Sequence, residues 1–430
     1  MANRLALFGG EKTRNTPFPS HPIIGEEEKR AVMEVLDSGR LSTFIAAPGV
    51  FFYGGERIKR FEHICAEYHG TKFAVSFNSA TAALHAAIVA VGVHAGQEVI
   101  VPPYTFTSTA TCALMHNAIP VFADITDDTF CLDAKAAEKV VSKHTKAIIP
   151  VHLFGHPADM DSLLAFAHKH NLMVIEDCAQ SPGARYKGRL CGTMGHCGIL
   201  SFTENKNVTT GEGGMLITND PAIAEVARMV RNHGEMILET QKERTYASKI
   251  LGWNYRLTEM DAALGVVQMG KLDALNAERV RLAEHFADGI KGIPGLRPSI
   301  RKSDCTHAYY IYPFFFQEKE AGITRAEFVK ALAAEGVPAG AGYVRPLYLS
   351  PLYHENRPDA FRFYEGNATY DKGICPVAER MHEQDLILLG MLRPPTTIND
   401  VDDILEAIQK VLANREEIVE ARAQAQHTIA

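Results

Sequence analysis

The sequence lacks the features that mark exported, membrane-spanning or nucleic-acid-binding proteins. Its 430 residues contain no apolar run close to the roughly 20 residues that a membrane-spanning helix needs. The first residues, MANRLALFGGEKTRN, lack the apolar core of a secretory signal. Lysine and arginine number 44 against 51 acidic residues, without a basic run. We therefore expect a cytoplasmic protein that binds neither nucleic acid nor a membrane.

Paired cysteines are also missing. The eight cysteines are scattered, with no CxxC pair and no Cys/His spacing typical of zinc. The pattern therefore favours neither a disulfide framework nor a structural metal, and no metal site is predicted. A reducing compartment fits this cysteine usage best.

The first two-thirds of the chain alternates short apolar or β-branched runs with helical stretches, which is typical of parallel strands covered by helices on both faces. The candidate strands are Phe73–Phe77, Glu98–Val101, Pro120–Ala123, Ala147–Leu153, Leu172–Glu176, Gly198–Phe202 and Gly214–Thr218. The candidate helices between them are Ser79–Val91, Thr107–His116, Asp161–His170 and Ala222–Arg231. This pattern predicts an α/β domain with a doubly wound, mostly parallel, seven-stranded sheet, and ligands at the carboxyl ends of its strands.

The pattern of apolar and polar residues changes after about residue 256. Residues Thr258–Leu282 have apolar positions at helical spacing and are predicted to form one long helix that joins two domains. The rest suggests a smaller α+β domain with an aromatic strand over Tyr309–Phe316, a helix over Arg325–Glu335 and a C-terminal helix capped near Asn399 and Asp400. We predict a large domain over 1–256, with an N-terminal arm, and a small domain over 257–430.

A lysine follows the sixth candidate strand in the segment SFTENKNVTTGEGG, residues 201–214. A lysine in apolar surroundings has a lowered amine pKa, and the neutral amine is the nucleophile that anchors an aldehyde cofactor. The glycines that follow allow the backbone to turn sharply and pass close to a ring. Lys206 is therefore the candidate anchor, although a surface lysine in a hairpin turn is the alternative for this segment alone.

Other residues that pyridoxal 5'-phosphate (PLP) requires also lie at strand ends. Asp177, which ends the apolar run LMVIED, is the candidate for the carboxylate that keeps the pyridine nitrogen protonated, so that the ring acts as an electron sink. Its alternative role is that of a turn or helix-capping residue. Glu176 is expected on the opposite face of the strand. Gln180 could hydrogen-bond the ring hydroxyl.

The phosphate of such a cofactor would fit the N-terminus of the helix that begins in FNSATAA, where free amides and small hydroxylated residues occur. A simple Ser/Thr helix cap explains the same residues. Ser201 could add a hydroxyl. Stacking on the ring is assigned to Phe106, with Tyr104 as the reserve, although either could be core packing.

Together, SFTENKNVTTGEGG, the EDCAQ run 176–180, PVHLFG, NSATAAL and RNHG closely resemble the DegT/DnrJ/StrS-type sugar aminotransferases. The resemblance runs from about residue 15 to the C-terminal helix. It implies a fold-type I PLP enzyme, a homodimer, and transfer of an amino group from glutamate or glutamine to a keto group of a sugar or cyclitol.

Carried across residue by residue, the resemblance implies that Lys206 holds PLP as a Schiff base and that Asp177 contacts the pyridine nitrogen. Gln180 falls on the partner of the ring hydroxyl, and Phe106 on the stacking aromatic residue. The phosphate contacts fall on Ala80, Thr81 and Ser201. In the run GWNYR, Asn254 falls on the residue that reaches the phosphate bound by the other subunit, which implies active sites shared across the dimer. His152 lies where substrates pass, and could equally satisfy a backbone group.

The sequence departs from the family pattern at three places. Ala80 stands where glycine is frequent, and the helix N-terminus should tolerate it if its φ stays below zero. Phe106 replaces a tryptophan seen in some members. The segment Arg40–Gly55 is longer and more aromatic than in members that act on nucleotide-linked sugars, and it is more similar to members that act on cyclitols such as scyllo-inosose or on precursors of aromatic rings.

The expected reaction is a two-step amino transfer in which the amine of Lys206, once released from PLP, carries a proton between substrate and cofactor. Two alternatives stay open. One is a PLP-dependent sugar dehydratase, although relatives of that kind usually carry histidine at the lysine position. The other is a PLP-binding regulatory protein without turnover, for which the chain offers no appended DNA-binding region.

Overall fold

The computed structural model describes residues 4–45, 48–237, 247–355 and 357–429. Two residues of the segment Arg40–Gly55, Ala46 and Ala47, lie outside the described residues. The strands are β1 (Phe73–Phe77), β2 (Glu98–Val101), β3 (Ile119–Phe122), β4 (Thr145–Ile148), β5 (Met173–Asp177), β6 (Arg185–Tyr186), β7 (Arg189–Leu190), β8 (Cys197–Ser201), β9 (Gly214–Thr218), β10 (Leu296–Pro298), β11 (Cys305–Thr306), β12 (Tyr312–Phe316), β13 (Gly340–Ala341) and β14 (Leu386–Leu389).

The helices lie on both faces of the large sheet and around the C-terminal strands. They are α1 (Glu26–Ser38), α2 (Glu56–His69), α3 (Ala80–Ala90), α4 (Ser108–Leu114), α5 (Ala134–Val140), α6 (Met160–His170), α7 (Pro221–Arg231), α8 (Glu259–Met269), α9 (Leu272–Ile290), α10 (Glu318–Ala321), α11 (Arg325–Ala334), α12 (Pro376–Arg380), α13 (Ile398–Ala413) and α14 (Arg415–Ile429). Among the described residues, no helix is both long and apolar enough to cross a bilayer.

The large sheet confirms the predicted α/β fold. In the described part of the chain it has seven strands in the order β1-β9-β8-β5-β4-β2-β3. Neighbours from β8 to β3 are parallel, whereas β9 runs antiparallel to both β1 and β8. Strands β1, β5 and β8 therefore point the same way, and their carboxyl ends meet at one edge. Every residue of β2, β3, β8 and β9 is buried, as expected for strands covered on both faces.

The C-terminal elements form a second, four-stranded sheet in the order β10-β12-β14-β13, and the paired strands are antiparallel. It shares an apolar cluster with α9, α11 and α13. The N-terminal segment packs here too, because Leu5 belongs to this cluster and Arg14 pairs with Asp400 at 2.8 Å and Asp403 at 2.6 Å. The domain boundary between residues 256 and 257 stays a prediction.

The single helix expected over Thr258–Leu282 is wrong, because α8 ends at Met269 and α9 begins at Leu272. At the break, the amides of Gly270 and Lys271 bond to carbonyls only three residues back, at 3.1 and 3.0 Å. Glycine has a low helix propensity, which favours a tightened turn at this point. Apolar spacing did not reveal the break because both helices bury apolar faces.

The fourth candidate strand, Ala147–Leu153, is also displaced. Strand β4 covers Thr145–Ile148 and stops before Pro150, which has no amide proton for a sheet hydrogen bond. The chain then forms a short 3₁₀ turn over Leu153–Gly155, where Phe154 has a φ of 57°. The aromatic strand is likewise shorter than predicted, since β12 starts at Tyr312.

Candidate active site

A cavity of about 260 Å³ lies where the carboxyl ends of β1, β5 and β8 meet. Most of the residues predicted to bind the cofactor come from separate segments and converge on its walls. These lining residues are Ala80, Thr81, Phe106, Asp177, Gln180, Ser201 and Lys206. Asn254 does not line it; its side chain is exposed on the same subunit.

Lys206 lies in the turn that follows β8, and only 9% of it is exposed. Its amide donates to the Thr203 carbonyl oxygen at 3.0 Å, and Nζ lies 4.1 Å from the centre of the Tyr310 ring. Burial lowers the pKa of the amine to about 8, while the charge of Asp177 opposes this shift. An amine with this pKa is partly neutral near pH 7 and can act as a nucleophile or a base.

Asp177 ends β5 and is almost fully buried. Its Oδ2 accepts a hydrogen bond from Thr109 Oγ1 at 2.9 Å, and Oδ1 accepts one from the Ala179 amide at 3.1 Å. Burial raises the pKa of this carboxyl, whereas the two donors and the charge of Lys206 counteract the rise. A buried carboxylate with few donors favours a cationic partner, which is what a protonated pyridine nitrogen provides.

Glu176 points to the opposite face of β5, as the alternation of the strand predicts. Its Oε1 accepts from the amides of Met194 and Gly195, both at 2.6 Å, and Oε2 accepts from the Gly192 amide at 2.8 Å. His152 Nε2 lies 3.1 Å from Oε2. Glu176 therefore holds the turn before β8 together and is turned away from the cavity.

His152 has the second of its two predicted roles, because it accepts a hydrogen bond from a backbone amide. Its Nδ1 accepts from the Ala158 amide at 2.9 Å, the side chain is fully buried, and Val151 lines the cavity instead. Donor atoms of His152, Glu176 and Cys178 lie within 4.8 Å of one another. Both Glu176 oxygens already accept hydrogen bonds, and the absence of a metal stays a prediction.

Gln180 is oriented by two hydrogen bonds. Its Oε1 accepts from the Phe154 amide at 2.8 Å, and its Nε2 donates to the Tyr343 hydroxyl at 3.1 Å. Because the oxygen is held by the backbone, the amide nitrogen is the group left for the cavity, with a second N–H to donate. This orientation suits an acceptor such as a ring hydroxyl in its deprotonated form.

The predicted phosphate site lies at the N-terminus of α3. Ser79 caps this helix, with its Oγ accepting from the Ala82 amide at 3.1 Å, and the helix begins at Ala80 with φ below zero. Alanine is therefore accommodated here without strain. The amides of the first turn and the hydroxyls of Thr81 and Ser201 form a region that favours an anion.

The structure separates the two candidate stacking residues. Phe106 lines the cavity and is 59% exposed. Tyr104 is fully buried outside the cavity, and its hydroxyl accepts from the Tyr343 amide at 2.7 Å. Tyr104 therefore belongs to the core, and the stacking role of Phe106 stays a prediction.

Three residues of the site were missed by sequence reasoning. Thr109 supports Asp177, Tyr310 lies against the Lys206 amine, and Tyr343 orients Gln180. Only Thr109 had a nearby signal, because it follows Phe106 by three residues. The two tyrosines come from the C-terminal part of the chain, and no local motif marks them.

These residues fit PLP at three separate groups. The buried amine of Lys206 suits its aldehyde, the buried carboxylate of Asp177 suits its ring nitrogen, and the start of α3 suits its phosphate. Each position is complementary in charge to the group it would hold. The cavity therefore has the donor set of a PLP site, although its individual contacts stay predictions.

Comparison with known proteins agrees with this geometry. Residues 22–409 match the model of the DegT/DnrJ/EryC1/StrS aminotransferase family. The chain belongs to this family. It is a PLP-dependent aminotransferase with the fold-type I architecture, which confirms the fold, the enzyme class and the cofactor predicted from the sequence.

Individual relatives are similar over almost the full chain. A protein of Streptoalloteichus tenebrarius named as a putative L-glutamine:3-amino-2,3-dideoxy-scyllo-inosose aminotransferase is 36% identical over 427 residues, covering 96% of this chain and 99% of that protein. The aminotransferase from Psychrobacter cryohalolentis superimposes with a TM-score of 0.82 at 31% identity, covering 93% and 99%. DesV from S. venezuelae gives 0.77 at 32% identity, covering 90% and 94%.

Proposed function

We propose that this aminotransferase moves an amino group from glutamate or glutamine to the keto group of a sugar or cyclitol. The observation that carries the proposal is the Lys206 amine, buried in the cavity near Asp177, with its pKa lowered by burial to about 8. Membership in the aminotransferase family agrees with this chemistry. The name of the Streptoalloteichus relative supports glutamine as the donor and a keto cyclitol as the acceptor.

The residues of the site have distinct tasks in this reaction. When bound, PLP supplies an electron sink that stabilises negative charge at the carbon bearing the amino group. Lys206 anchors it and then accepts and returns a proton at Nζ. Asp177 keeps a proton on the ring nitrogen, and Gln180 donates to the ring hydroxyl. Thr81, Ser201 and the amide of Ala80 hold the phosphate, and Phe106 covers the ring.

The segment Arg40–Gly55 supports a cyclitol in preference to a nucleotide-linked sugar. Its ends are held by Glu259, whose Oε1 accepts from Thr43 Oγ1 at 2.8 Å and from the Gly55 amide at 2.9 Å. Phe44 packs beneath Arg231, at 4.9 Å from the guanidinium carbon to the ring centre. In sequence this segment resembles those of members that act on cyclitols or on precursors of aromatic rings, and that resemblance is the basis for preferring a cyclitol.

The proposal includes a homodimer with shared active sites. Asn254 is exposed and lies outside the cavity of its own subunit, which suits a residue that contacts the partner's cofactor. The neighbouring Tyr255 carbonyl accepts from the Asn78 amide at 2.9 Å, which fixes the backbone next to Asn254. The eight cysteines are all unpaired and buried, which supports a cytoplasmic location.

Mixing two inactive variants tests the shared site. Lys206→Ala and Asn254→Ala homodimers are each expected to be impaired. After subunit exchange, mixed dimers should regain activity, because one of their two sites combines an intact lysine with an intact asparagine. Failure to regain activity, with mixed dimers demonstrated by native mass spectrometry, would contradict the assignment of Asn254.

The reaction itself is tested by absorbance and by an acceptor screen. The PLP-loaded protein is incubated with L-glutamine, and the cofactor band should convert to that of the pyridoxamine form. Adding scyllo-inosose or nucleotide-linked keto sugars in parallel should restore the band with the true acceptor. A dehydratase would release product without consuming the donor, and a regulatory protein would bind PLP without converting it, so either result would refute the proposal.

A further inference from the structure

The amine of Lys206 lies against the face of an aromatic ring. Its Nζ atom is 4.1 Å from the centre of the Tyr310 ring. Within the described residues Nζ forms no hydrogen bond and no ion pair, and Asp177 acts on it only through its charge. The ring of Tyr310 is therefore the direct contact in this part of the chain that can balance a positive charge on the amine.

Tyr310 is held in this position by its backbone. Its amide donates to the Phe154 carbonyl oxygen at 2.9 Å, and the Ala308 amide donates to the Gly155 carbonyl oxygen at 2.9 Å. The ring is buried and lines the cavity. Its hydroxyl forms no hydrogen bond within the described part of the chain. The position of the ring therefore does not depend on the hydroxyl, and the ring face is the part that reaches the amine.

The acidic groups of the cavity wall are engaged by other donors. Besides Lys206, the described lining residues include two charged side chains, Asp177 and Glu212. Asp177 Oδ2 accepts from Thr109 Oγ1 at 2.9 Å, and Glu212 Oε2 accepts from Thr203 Oγ1 at 2.9 Å. A charge that appears on the Lys206 amine is therefore left to the aromatic ring.

A ring face suits a group that must take up a proton and then release it. The negative charge of the face attracts an ammonium, and this attraction is stronger where water is excluded. A carboxylate in contact would bind the ammonium through a charge-assisted hydrogen bond and oppose its movement. The ring forms no such directional bond and accepts no proton, so the amine stays free to pass the proton on.

Amino transfer requires this property of the amine. The C–H bond at the donor's α-carbon breaks, its electron pair is taken up by the bound cofactor, and the proton goes to the lone pair of Nζ. We propose that Tyr310 is a catalytic residue, whose ring face stabilises the Lys206 ammonium until the proton is released. The inference rests on the proposed function and adds a second side chain at the reacting nitrogen.

Stepwise fluorination of the ring tests the proposal at almost constant size. Tyr310 is replaced by phenylalanine and then by mono-, di- and trifluorophenylalanine, because each fluorine withdraws negative charge from the face. The rate of PLP capture by the apoprotein is followed against pH, and the pH of half-maximal rate reports the pKa of the Lys206 amine. Tyr310→Phe should keep this midpoint within about 0.3 pH unit, and trifluorophenylalanine should lower it by about one unit. A midpoint that is constant along the series, or that rises, would overturn the assignment.

A nearby tyrosine provides the matched control. Tyr312 lies in β12, is buried and does not line the cavity. Trifluorophenylalanine at this position should leave the midpoint of PLP capture unchanged. An equal shift from position 312 would mean that fluorination acts through the fold, and the role of Tyr310 would be refuted.

Proton transfer is tested by single turnovers of the PLP-loaded protein with L-glutamine and with its α-deuterated form. At a pH above the midpoints, the rate should fall about three- to tenfold from phenylalanine to trifluorophenylalanine at position 310. The isotope effect should persist, and the apparent affinity for glutamine should stay constant. A loss of affinity at an unchanged rate would show that the ring contacts the donor instead, which would contradict the proposal.

The two proposals fail in different ways. If Lys206 captures PLP and glutamine converts it, but fluorination has no effect, the role of Tyr310 is refuted and the proposed function stands. If fluorination lowers the midpoint and slows proton transfer, but no keto sugar or cyclitol is aminated, the proposed acceptor is wrong and the role of Tyr310 stands.

Discussion

Gly214 lies against the backbone of Ser79, so close that a Cβ atom at position 214 would be 2.4 Å from the Ser79 carbonyl carbon and 2.5 Å from the Ala80 amide nitrogen. Gly214 is the first residue of β9, and Ser79 is the cap of α3. The glycine is therefore needed for close approach of two backbones. Through this contact the lysine segment and the predicted phosphate site are packed together.

Replacing this glycine should weaken cofactor binding. Gly214→Ala must push the start of α3 away from β9, because the new methyl group meets backbone atoms. We expect the dissociation constant for PLP to rise about 10- to 100-fold, measured by fluorescence titration of the apoprotein. Gly390→Ala is the matched control, since a Cβ there meets no atom within 4 Å. Equal PLP affinity in both variants would show that the contact does not shape the phosphate site.

The lowered pKa of Lys206 predicts how cofactor attachment depends on pH. Only the neutral amine attacks an aldehyde, and burial places the pKa of this amine at about 8. The rate at which apoprotein recovers the absorbance of attached PLP should therefore rise up to about pH 8 and then level off. An unperturbed lysine would give a rate that keeps rising towards pH 10. Lys206→Ala should give no attached cofactor at any pH.

Thr109 should influence the reaction through Asp177. Thr109→Val removes the hydroxyl that donates to Asp177 Oδ2 at 2.9 Å, which should raise the pKa of the carboxyl further above its ordinary value. We expect kcat to fall about tenfold, the effect of one hydrogen bond to a charged group. Thr111→Val on the same helix is the control.

Asp177→Asn should lower kcat at least about 100-fold, and a milder loss would contradict the role of Asp177 at the ring nitrogen.

Glu176 should matter for stability instead of chemistry. Glu176→Gln places an amide N–H₂ group among the donors from Gly192, Met194 and Gly195, so the free energy of unfolding should fall by about 3 kcal/mol or more. The exposed Glu26→Gln is the control. Denaturant unfolding with near-ultraviolet circular dichroism measures both variants, and equal stabilities would contradict the role given to Glu176.

The same residue predicts a pH dependence with a defined sign. Burial acts to raise the pKa of Glu176, but the hydrogen bonds from His152 and from the Gly195 and Gly192 amides outweigh it, and the pKa lies below its ordinary value. The unfolded chain therefore takes up the proton first, and the contribution of Glu176 is present above about pH 4.5 and lost as pH falls further. The stability difference between wild type and Glu176→Gln should shrink over that acidic range.

Much of the large sheet was predictable because burial on both faces leaves continuous apolar runs. Strands β1, β2 and β9 have the predicted bounds. Strands β3, β5 and β8 are each displaced by one residue from their predicted bounds. Larger changes occur where a single residue interrupts a favourable pattern, as Pro150 ends β4 early and Gly270 separates α8 from α9. Apolar periodicity reports which face is buried, and it continues across such breaks.

The candidate active site was likewise predictable from the sequence only in part. Lys206, Asp177 and Gln180 each follow a recognisable strand, and the edge at which parallel strands end brings them together. The partners that tune them are distant in the chain, as Tyr343 is 163 residues from Gln180 and Thr109 is 68 residues from Asp177. No local pattern indicates such pairs.

The sequence by itself determined the family, the cofactor and the chemical groups that the site needs, because motifs after strands keep their spacing whatever packs around them. Only the tertiary structure decided that Tyr104 is core while Phe106 faces the cavity, and that Tyr310 lies against the Lys206 amine. These outcomes depend on distances and desolvation between segments far apart in the chain. Charge and burial at such a meeting point come from the folded arrangement, not from the order of residues along one segment.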